Sequence, residues 1–151
     1  MHVNAILRKP PVTLRRFDEL VRAAQLMREQ HVGYIVVVEP ELGTGTERPV
    51  GVLTDRDMVI AVIARAVDPR TLRVGDVMTQ PAVTVNSSDS VEKALHEMRR
   101  AGVRRLPVVG QRGELTGVVS LDDLLEVLAA QFSDAVGSVR NEQVIEGTLR
   151  P

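Results

Sequence analysis

The hydrophobic pattern of the chain predicts helices and strands in a repeating order. Apolar residues recur at the spacing of a helix with one buried face in two stretches: Leu20, Ala24, Met27 and Val91, Ala94, Leu95, Met98. Two unbroken apolar runs, Tyr34 to Val38 and Leu106 to Val109, are typical of strands buried on both faces. A short extended segment precedes each helix, and a turn, a second strand and a second helix follow each apolar run. The predicted order is therefore strand, helix, strand, strand, helix, twice.

The two copies also match residue by residue. Residues 4–38 align without a gap on residues 75–109, which pairs Asp18 with Asp89 near the two helix starts. Further on, Gly51-Val52-Leu53-Thr54-x-x-Asp57 aligns with Gly117-Val118-Val119-Ser120-x-x-Asp123, after a loop that is five residues shorter in the second copy. A repeat of this kind is strong evidence for the fold. Since there are only two copies, we expect two half-domains that close on each other: residues 1–66, a linker at 67–74, and residues 75–131.

Two segments carry more apolar residues than the repeats need. Residues 58–64 are apolar nearly all round, so we expect this helix to be buried against the other repeat or against a second subunit. Residues 132–151 match nothing in the repeats, but their apolar residues continue a helical stripe: Phe132, Val136, Val139, Val144 and Ile145. We interpret this extension as a helix used in self-association, with Gly137 as its weak point.

Composition and charge exclude several classes of function. Hydrophobic residues make up 44% of the chain and aromatic residues only 2%, so the core is built from aliphatic side chains and methionine. The net charge of −1 and the lack of a basic stripe with stacking aromatics do not favour nucleic-acid binding, and the absence of cysteine excludes disulfides and zinc–thiolate sites. No apolar run approaches the roughly 18 residues of a membrane span, and the N-terminus lacks the pattern of a signal peptide. We expect a cytoplasmic protein.

Candidate catalytic and metal motifs are weak. The three histidines are scattered without ligand spacing, and Ser87-Ser88-Asp89 is a helix entry with no histidine partner. Gly43-Thr44-Gly45 lies between two strands and lacks the lysine of a phosphate-binding loop. We therefore expect no metal site, no catalytic residues and no enzymatic activity.

Three motifs, in order and in both copies, resemble the CBS domain, which is named after cystathionine β-synthase. In the second copy they are Val77-Met78-Thr79-x-Pro81-x-Val83-Thr84-Val85, Val103-Arg104-Arg105-Leu106-Pro107-Val108-Val109 and Gly117-Val118-Val119-Ser120-x-x-Asp123. The resemblance covers about residues 4–130 and is to the small stand-alone bacterial type. It implies an α/β fold in which two β-α-β-β-α repeats, related by a pseudo-two-fold axis, pack as one CBS pair. It also implies two clefts for adenine nucleotides (AMP, ADP, ATP, NAD or S-adenosylmethionine), dimerisation, and regulation of a partner.

The two Ser/Thr-x-x-Asp motifs have a structural and a functional interpretation. Spacing alone favours a helix capping box, with Thr54 or Ser120 as the cap. The same geometry lets a carboxylate accept both hydroxyls of a ribose, while the helix start suits a phosphate. The resemblance favours the ligand role for Asp57 and Asp123.

Other expected ligand contacts rest on the resemblance. Arg104 and Arg105, with Arg105 preferred, would bind phosphate oxygens. The first copy has Gly33-Tyr34 there, so the clefts cannot be equivalent; Tyr34 either contacts ligand or packs, and Arg56 either supplies charge or lies in solvent. Backbone at Pro11-Val12 and Ala82-Val83 is expected against adenine, and Thr79, whose counterpart is Arg8, beside it. The complete expected set is Asp57, Thr54, Arg56, Tyr34, Val12, Pro11, Asp123, Ser120, Arg104, Arg105, Leu106, Thr79, Ala82 and Val83.

Two functions follow from these observations. The first is a regulatory module for energy sensing and signal transduction, which binds an adenine nucleotide and transmits occupancy to a partner. The alternative is a ligand-independent, oligomeric interaction adaptor with empty clefts, which the apolar residues 58–64 and the C-terminal extension favour. A small enzyme carries little weight, because no acid–base pair, nucleophile or metal cluster is present.

Overall fold

The computed structural model describes residues 1–7 and 10–149, so Arg8 and the end of the C-terminal extension, Arg150 and Pro151, lie outside it. The elements in chain order are β1 (Thr13–Leu14), α1 (Leu20–Gln30), β2 (Tyr34–Pro40), β3 (Glu47–Thr54), α2 (Asp55–Met58), α3 (Val74–Val77), β4 (Val85–Asn86), α4 (Val91–Ala101), β5 (Arg105–Val109), β6 (Leu115–Ser120) and α5 (Leu121–Leu149). Short 3-10 turns at Val3–Ala5 and Pro69–Thr71 precede the two repeats. The predicted order of strands and helices is confirmed.

Each repeat is built around a three-stranded sheet, ordered β1-β2-β3 in the first and β4-β5-β6 in the second. The middle strand of each sheet pairs parallel with the short strand before it and antiparallel with the strand after it. These middle strands are the two apolar runs of the sequence, and Ile35 and Leu106 are fully buried within them. Helices α1 and α4 complete the two cores through Met27 and Met98. The mixed α/β fold of two like repeats is therefore confirmed.

The segments before β1 and β4 each pack into the core of the other repeat. Val3 is buried among core residues of the second repeat, and Val74 among those of the first. The backbone contacts repeat this exchange, because the Val3 N–H donates to the Asp89 carbonyl at 2.9 Å and the Val74 N–H to the Asp18 carbonyl at 2.9 Å. This reciprocal pairing is the pseudo-two-fold relation between the repeats.

Two apolar segments have little cover within the chain. Helix α2 continues as a π-helical turn at Val59–Ile63, in which only Val62 is buried, while Val59, Ile60 and Ile63 are 50%, 51% and 73% exposed. Burial against the other repeat, one of the two expectations for residues 58–64, is therefore wrong, because a turn this short reaches the core with one side chain. Helix α5 runs unbroken through Gly137 to Leu149, and residues 129–149 are all exposed. No helix in the described part of the chain is both long and apolar enough to cross a membrane.

Candidate functional site

A cleft of about 440 Å³ lies between the two repeats, and we call it the first cleft. The end of β3 and the start of α2 form one wall, and residues 79–83 and 102–106 form the other. It brings together nine residues of the expected set: Tyr34, Thr54, Arg56, Asp57, Thr79, Val83, Arg104, Arg105 and Leu106. Its volume lies within the roughly 300–1,000 Å³ range of small-molecule sites.

The pseudo-symmetric position holds a smaller cavity of about 180 Å³, which we call the second cleft. It is lined by Arg104, Arg105, Ser120 and Asp122, whose counterparts in the other repeat all line the first cleft. Arg104 closes part of this space, because its guanidinium lies 3.1 Å from Oδ1 of Asp122. The two clefts are therefore not equivalent, and only the first has the volume for a nucleotide.

Asp57 has two roles available because its two carboxylate oxygens are used differently. Its Oδ2 accepts the Thr54 N–H at 2.9 Å, and its own N–H donates to the Thr54 hydroxyl at 3.1 Å, which completes a capping box. This arrangement satisfies backbone groups at the start of α2 that have no partner within the helix. In the described residues no hydrogen bond uses Oδ1, so this oxygen remains for a ligand donor in the first cleft.

Asp123 repeats the cap but lies outside the first cleft. Its Oδ2 accepts the Ser120 N–H at 3.2 Å and also the Ser120 hydroxyl, while its N–H donates to that hydroxyl at 3.1 Å. Both motifs thus fulfil the structural interpretation that their spacing indicates. Of the two aspartates, only Asp57 also lines the first cleft.

Arg105 and Tyr34 meet across the boundary between the repeats. The guanidinium carbon of Arg105 lies 5.8 Å from the centroid of the Tyr34 ring, within the range of a cation–π contact. The Tyr34 hydroxyl is buried and has no hydrogen-bond partner among the described residues. Burial raises the pKa of this hydroxyl well above its ordinary range, against the opposing effect of the Arg105 charge. The phenol is therefore a neutral donor at physiological pH.

In the wall of the first cleft formed by residues 79–83, the Val83 carbonyl is available to a ligand, whereas the corresponding Val12 carbonyl is not. In the first repeat the Val12 carbonyl accepts the Val36 N–H at 3.0 Å. The residue that corresponds to Val36 is Pro107, which has no N–H, so the Val83 carbonyl lacks this donor. Thr79 contributes only its side chain, because its N–H and C=O pair with Val52 at 2.8 and 3.0 Å.

The remaining members of the expected set lie elsewhere. Ser120 lines the second cleft and Asp123 caps α5 beside it. Val12 packs against the core of the first repeat, and Pro11 lines a separate cavity of about 520 Å³. Ala82 is half-buried between Pro81 and Val83, which do line the first cleft.

Sequence reasoning missed six residues of the first cleft: Gly33, Val52, Asp55, Pro81, Gly102 and Val103. A larger residue at position 33 would clash, because a Cβ on Gly33 would lie 2.6 Å from Oδ2 of Asp55. The Asp55 N–H also donates to the Gly33 carbonyl at 3.1 Å. Gly33 stands where the second repeat has Arg104, and that difference between the copies was the available signal.

The first cleft has the chemistry of a binding site. It combines guanidinium groups, one carboxylate oxygen free to accept, an unpaired phenol and apolar walls at Val52, Val83 and Leu106. No group of three or more metal-ligating side chains occurs in residues 1–7 or 10–149. Such a set can bind hydroxyls and an anion on one molecule.

Comparison with known families matches both repeats. The sequence profile of the family described as CBS domain matches residues 3–64 and again residues 74–130. The protein MK0525 of Methanopyrus kandleri, which is uncharacterized, is 34% identical over 125 residues, which are 83% of this chain and 61% of that protein.

Two solved structures share the fold. The CBS domain protein PAE2072 from Pyrobaculum aerophilum, complexed with AMP, is 29% identical with a TM-score of 0.73, covering 86% of this chain and 99% of that one. A hexameric CBS-CP12 protein from bloom-forming cyanobacteria is 31% identical with a TM-score of 0.70, covering 83% of this chain and 66% of that one.

Proposed function

Because the chain belongs to the CBS domain family and carries the domain twice, we propose that it is a regulatory module that binds an adenine nucleotide in its first cleft. The observation that carries this proposal is the 440 Å³ cavity, in which Asp57 presents one unused carboxylate oxygen opposite two arginines of the other repeat. The complex of PAE2072 with AMP supports the ligand class. We place the module in the cytoplasm and assign it no catalytic role.

The adenosine part of the ligand has a partner at each end of the first cleft. Oδ1 of Asp57 accepts the ribose hydroxyls, in charge-assisted hydrogen bonds worth about 1.5–3 kcal/mol each. The Val83 carbonyl, which lacks the strand donor that Val12 has, accepts the exocyclic amine of adenine. Val52 and Pro81 supply apolar walls for the ring.

Occupancy reaches a partner through self-association. The exposed apolar residues of the π-helical turn and of α5 supply the surface, and Val59 and Leu125 occupy corresponding positions in the two repeats, 50% and 51% exposed. An exposed apolar surface of this kind fits a second copy of this chain, because a two-fold dimer buries the same patch of both copies. A ligand shifts this assembly only by its different affinity for two arrangements of it.

Thermal unfolding with AMP, ADP, ATP, NAD and S-adenosylmethionine tests the nucleotide proposal. A ligand at about a hundred times its Kd adds about 2.7 kcal/mol, which raises the Tm by about 5–10 °C in a domain of this size. GMP is the matched control, because its ring carries a carbonyl where adenine carries the amine. A shift with an adenine nucleotide and none with GMP is expected.

The adaptor remains the second candidate, and the uncovered apolar surface of α5 favours it. It predicts an oligomer whose Tm none of these ligands changes. That result would replace the nucleotide proposal with the adaptor.

A further inference from the structure

We propose that the π-helical turn at Val59–Ile63 is a two-state element that couples the first cleft to the exposed apolar surface of the first repeat. A nucleotide in the first cleft favours the π winding of this turn over a regular α winding. The winding in turn sets the direction in which Ile60 and Ile63 point. The inference rests on the proposed nucleotide function, and it goes beyond it by naming the element that transmits occupancy.

The turn lies directly between the two surfaces that it couples. It follows α2 without a break, and the first turn of α2 carries Arg56 and Asp57 in the wall of the first cleft. The turn itself carries three exposed apolar side chains, Val59, Ile60 and Ile63. A change of winding within the turn therefore moves one surface relative to the other.

The backbone of the turn is wound more loosely than that of an α-helix. The Ala64 N–H donates to the Val59 carbonyl at 2.9 Å, and the Val67 N–H donates to the Val62 carbonyl at 3.1 Å, each five residues back. An α-helix is bonded four residues back. A return to the α winding therefore shifts the later residues by one position, about 1.5 Å along the helix axis and about 100° around it.

The turn ends in a strained residue. Ala66 has a φ of 53°, in the left-handed region that a residue with a Cβ adopts only at a cost. In the second repeat, α5 passes through the corresponding residues 125–132 as a regular α-helix, without such a residue. The chain thus contains the π winding in one repeat and the α winding at the corresponding positions of the other.

Two opposing effects act on the winding. The π winding places Val62 in the core of the first repeat, and a shift by one position withdraws it. Against this, the π winding requires the left-handed Ala66. The burial of one valine and the cost of one left-handed residue are similar in size, so both windings are populated.

The π winding is the one that binds the nucleotide. With the turn in this winding, the first cleft has the volume for such a ligand, and Asp57 lies in its wall. A shift of the turn displaces the start of α2 relative to the opposite wall, so the two windings differ in affinity. A ligand moves an equilibrium by that difference, and its apparent affinity depends on the fraction of chains in the binding winding.

Calorimetric titration of the full chain with AMP and with ATP tests the inference. Ala66→Val makes the left-handed conformation more costly, because β-branched residues rarely adopt it, and should weaken binding about 3- to 10-fold. Ala66→Gly removes the cost and should tighten binding by up to about twofold. Ala66 is exposed and lines neither cleft, so these changes reach the ligand only through the turn.

Two matched variants control for general effects on stability. Ala130→Val makes the same change at an exposed position of α5, where the helix is regular, and should leave AMP affinity within about twofold. His31→Gly relieves the other left-handed residue of the described chain that is not glycine, at the end of α1. It should raise the Tm, as Ala66→Gly does, and leave AMP affinity unchanged.

Scalar couplings across hydrogen bonds, measured by NMR, identify the winding directly. A coupling from the Ala64 amide to the Val59 carbonyl carbon indicates the π winding, and one to the Ile60 carbonyl carbon indicates the α winding. We expect saturating AMP to strengthen the first coupling and to weaken the second.

The outcomes distinguish the two proposals. AMP binding that Ala66→Val leaves unchanged, or couplings that AMP leaves unchanged, overturn the two-state turn and leave the nucleotide function standing. An equal loss of affinity in Ala66→Val and Ala130→Val also overturns the two-state turn. Binding of neither AMP nor ATP overturns the nucleotide function, and ligand control of the turn with it.

Discussion

At the scale of single residues, the chain carries the same capping box twice, and only one of the two copies lies in the wall of the first cleft. Thr54 and Asp57 cap α2 at the wall of the first cleft, while Ser120 and Asp123 cap α5 beside the second. A cap and a ribose acceptor need the same geometry, a carboxylate in the first helical turn. Sequence alone therefore could not separate the two roles, and the surrounding cavity makes Asp57 the aspartate that we propose as the ribose acceptor.

The paired caps supply a matched experiment on Asp57. Asp57→Ala and Asp123→Ala each remove the carboxylate half of one capping box, so each should lower the free energy of unfolding by about 0.5–1.5 kcal/mol, the contribution of a typical hydrogen bond. Only Asp57→Ala should also weaken AMP, by about tenfold or more, because it removes the ribose acceptor. Urea unfolding and calorimetric titration of both variants measure the two effects. Equal AMP affinity in the two variants would place the ribose elsewhere.

Asp89 gives the protein part of its acid sensitivity. The hydrogen bond from Lys93, at 2.9 Å, lowers the pKa of the Asp89 carboxyl, and the Asn86 N–H bond at 2.8 Å acts in the same direction. A folded-state pKa below the unfolded value of about 3.9 means a contribution to stability that is present above that pH and lost as the pH falls further.

We expect Asp89→Asn to be less stable than the natural protein at pH 7, with the difference shrinking below about pH 4. Urea unfolding at a series of pH values measures it. Asp18→Asn removes the corresponding turn contact, to the Arg15 N–H at 2.7 Å, without a lysine ion pair and is the control. A stability difference for Asp89→Asn that stays constant with pH would contradict the expectation.

At the scale of elements, the strands were predictable and two helical segments were not. The middle strands follow directly from their unbroken apolar runs, because only a strand covered on both faces needs such a sequence. The π-helical turn at Val59–Ile63 has an equally apolar sequence but buries only Val62. The hydrophobic pattern of a sequence predicts that side chains are buried, but it does not predict which neighbour buries them.

The site was predictable where one repeat could be compared with the other. Asp57 and Arg105 follow from motifs, whereas their position in one cleft depends on how the two repeats close on each other. The Val83 carbonyl likewise depends on a residue distant in sequence, because Pro107 has no N–H to donate to it. The packing of the segments before β1 and β4 into the opposite repeat could not be predicted, because the hydrophobic pattern of each segment does not show which core it joins.

This packing makes the N-terminal segment a structural part of the second repeat. Val3 is fully buried in the core formed by β4, α4, β5, β6 and α5. Val3→Ala should therefore lower the free energy of unfolding by about 1–3 kcal/mol, although it lies near a chain terminus. Asn4→Ala, at an exposed neighbouring position, should cost much less.

Hydrogen exchange localises the effect of Val3→Ala. Faster exchange should appear in β5 and β6 before β2 and β3, because Val3 contacts the second core. Equal acceleration in both sheets would mean that the two repeats unfold as one unit. Faster hydrogen exchange in β2 and β3 alone would contradict the packing of Val3 in the second core.

At the scale of the whole molecule, helix α5 has an apolar stripe that residues 1–7 and 10–149 leave uncovered beyond residue 128. Its last 21 residues, 129–149, are exposed, and they include Gly137 and Gly147. Most of the stability of helices in proteins comes from the packing of one face, and each interior glycine costs about 1 kcal/mol relative to alanine. Packing of a stripe formed by Leu125, Phe132, Val136 and Val139 against a second copy would supply the missing stabilisation.

Disruption of this stripe tests self-association. Phe132→Glu combined with Val139→Glu should reduce the mass measured by light scattering to that of one chain and lower the helix content, because charges on the stripe cannot be buried without a partner. Ser133→Glu combined with Ser138→Glu places the same charges off the stripe and is the matched control. An unchanged mass for both variants would place the contact between copies at the π-helical turn instead. A natural chain that is monomeric at every concentration would exclude transmission through self-association, and nucleotide binding would then have to act on a different protein.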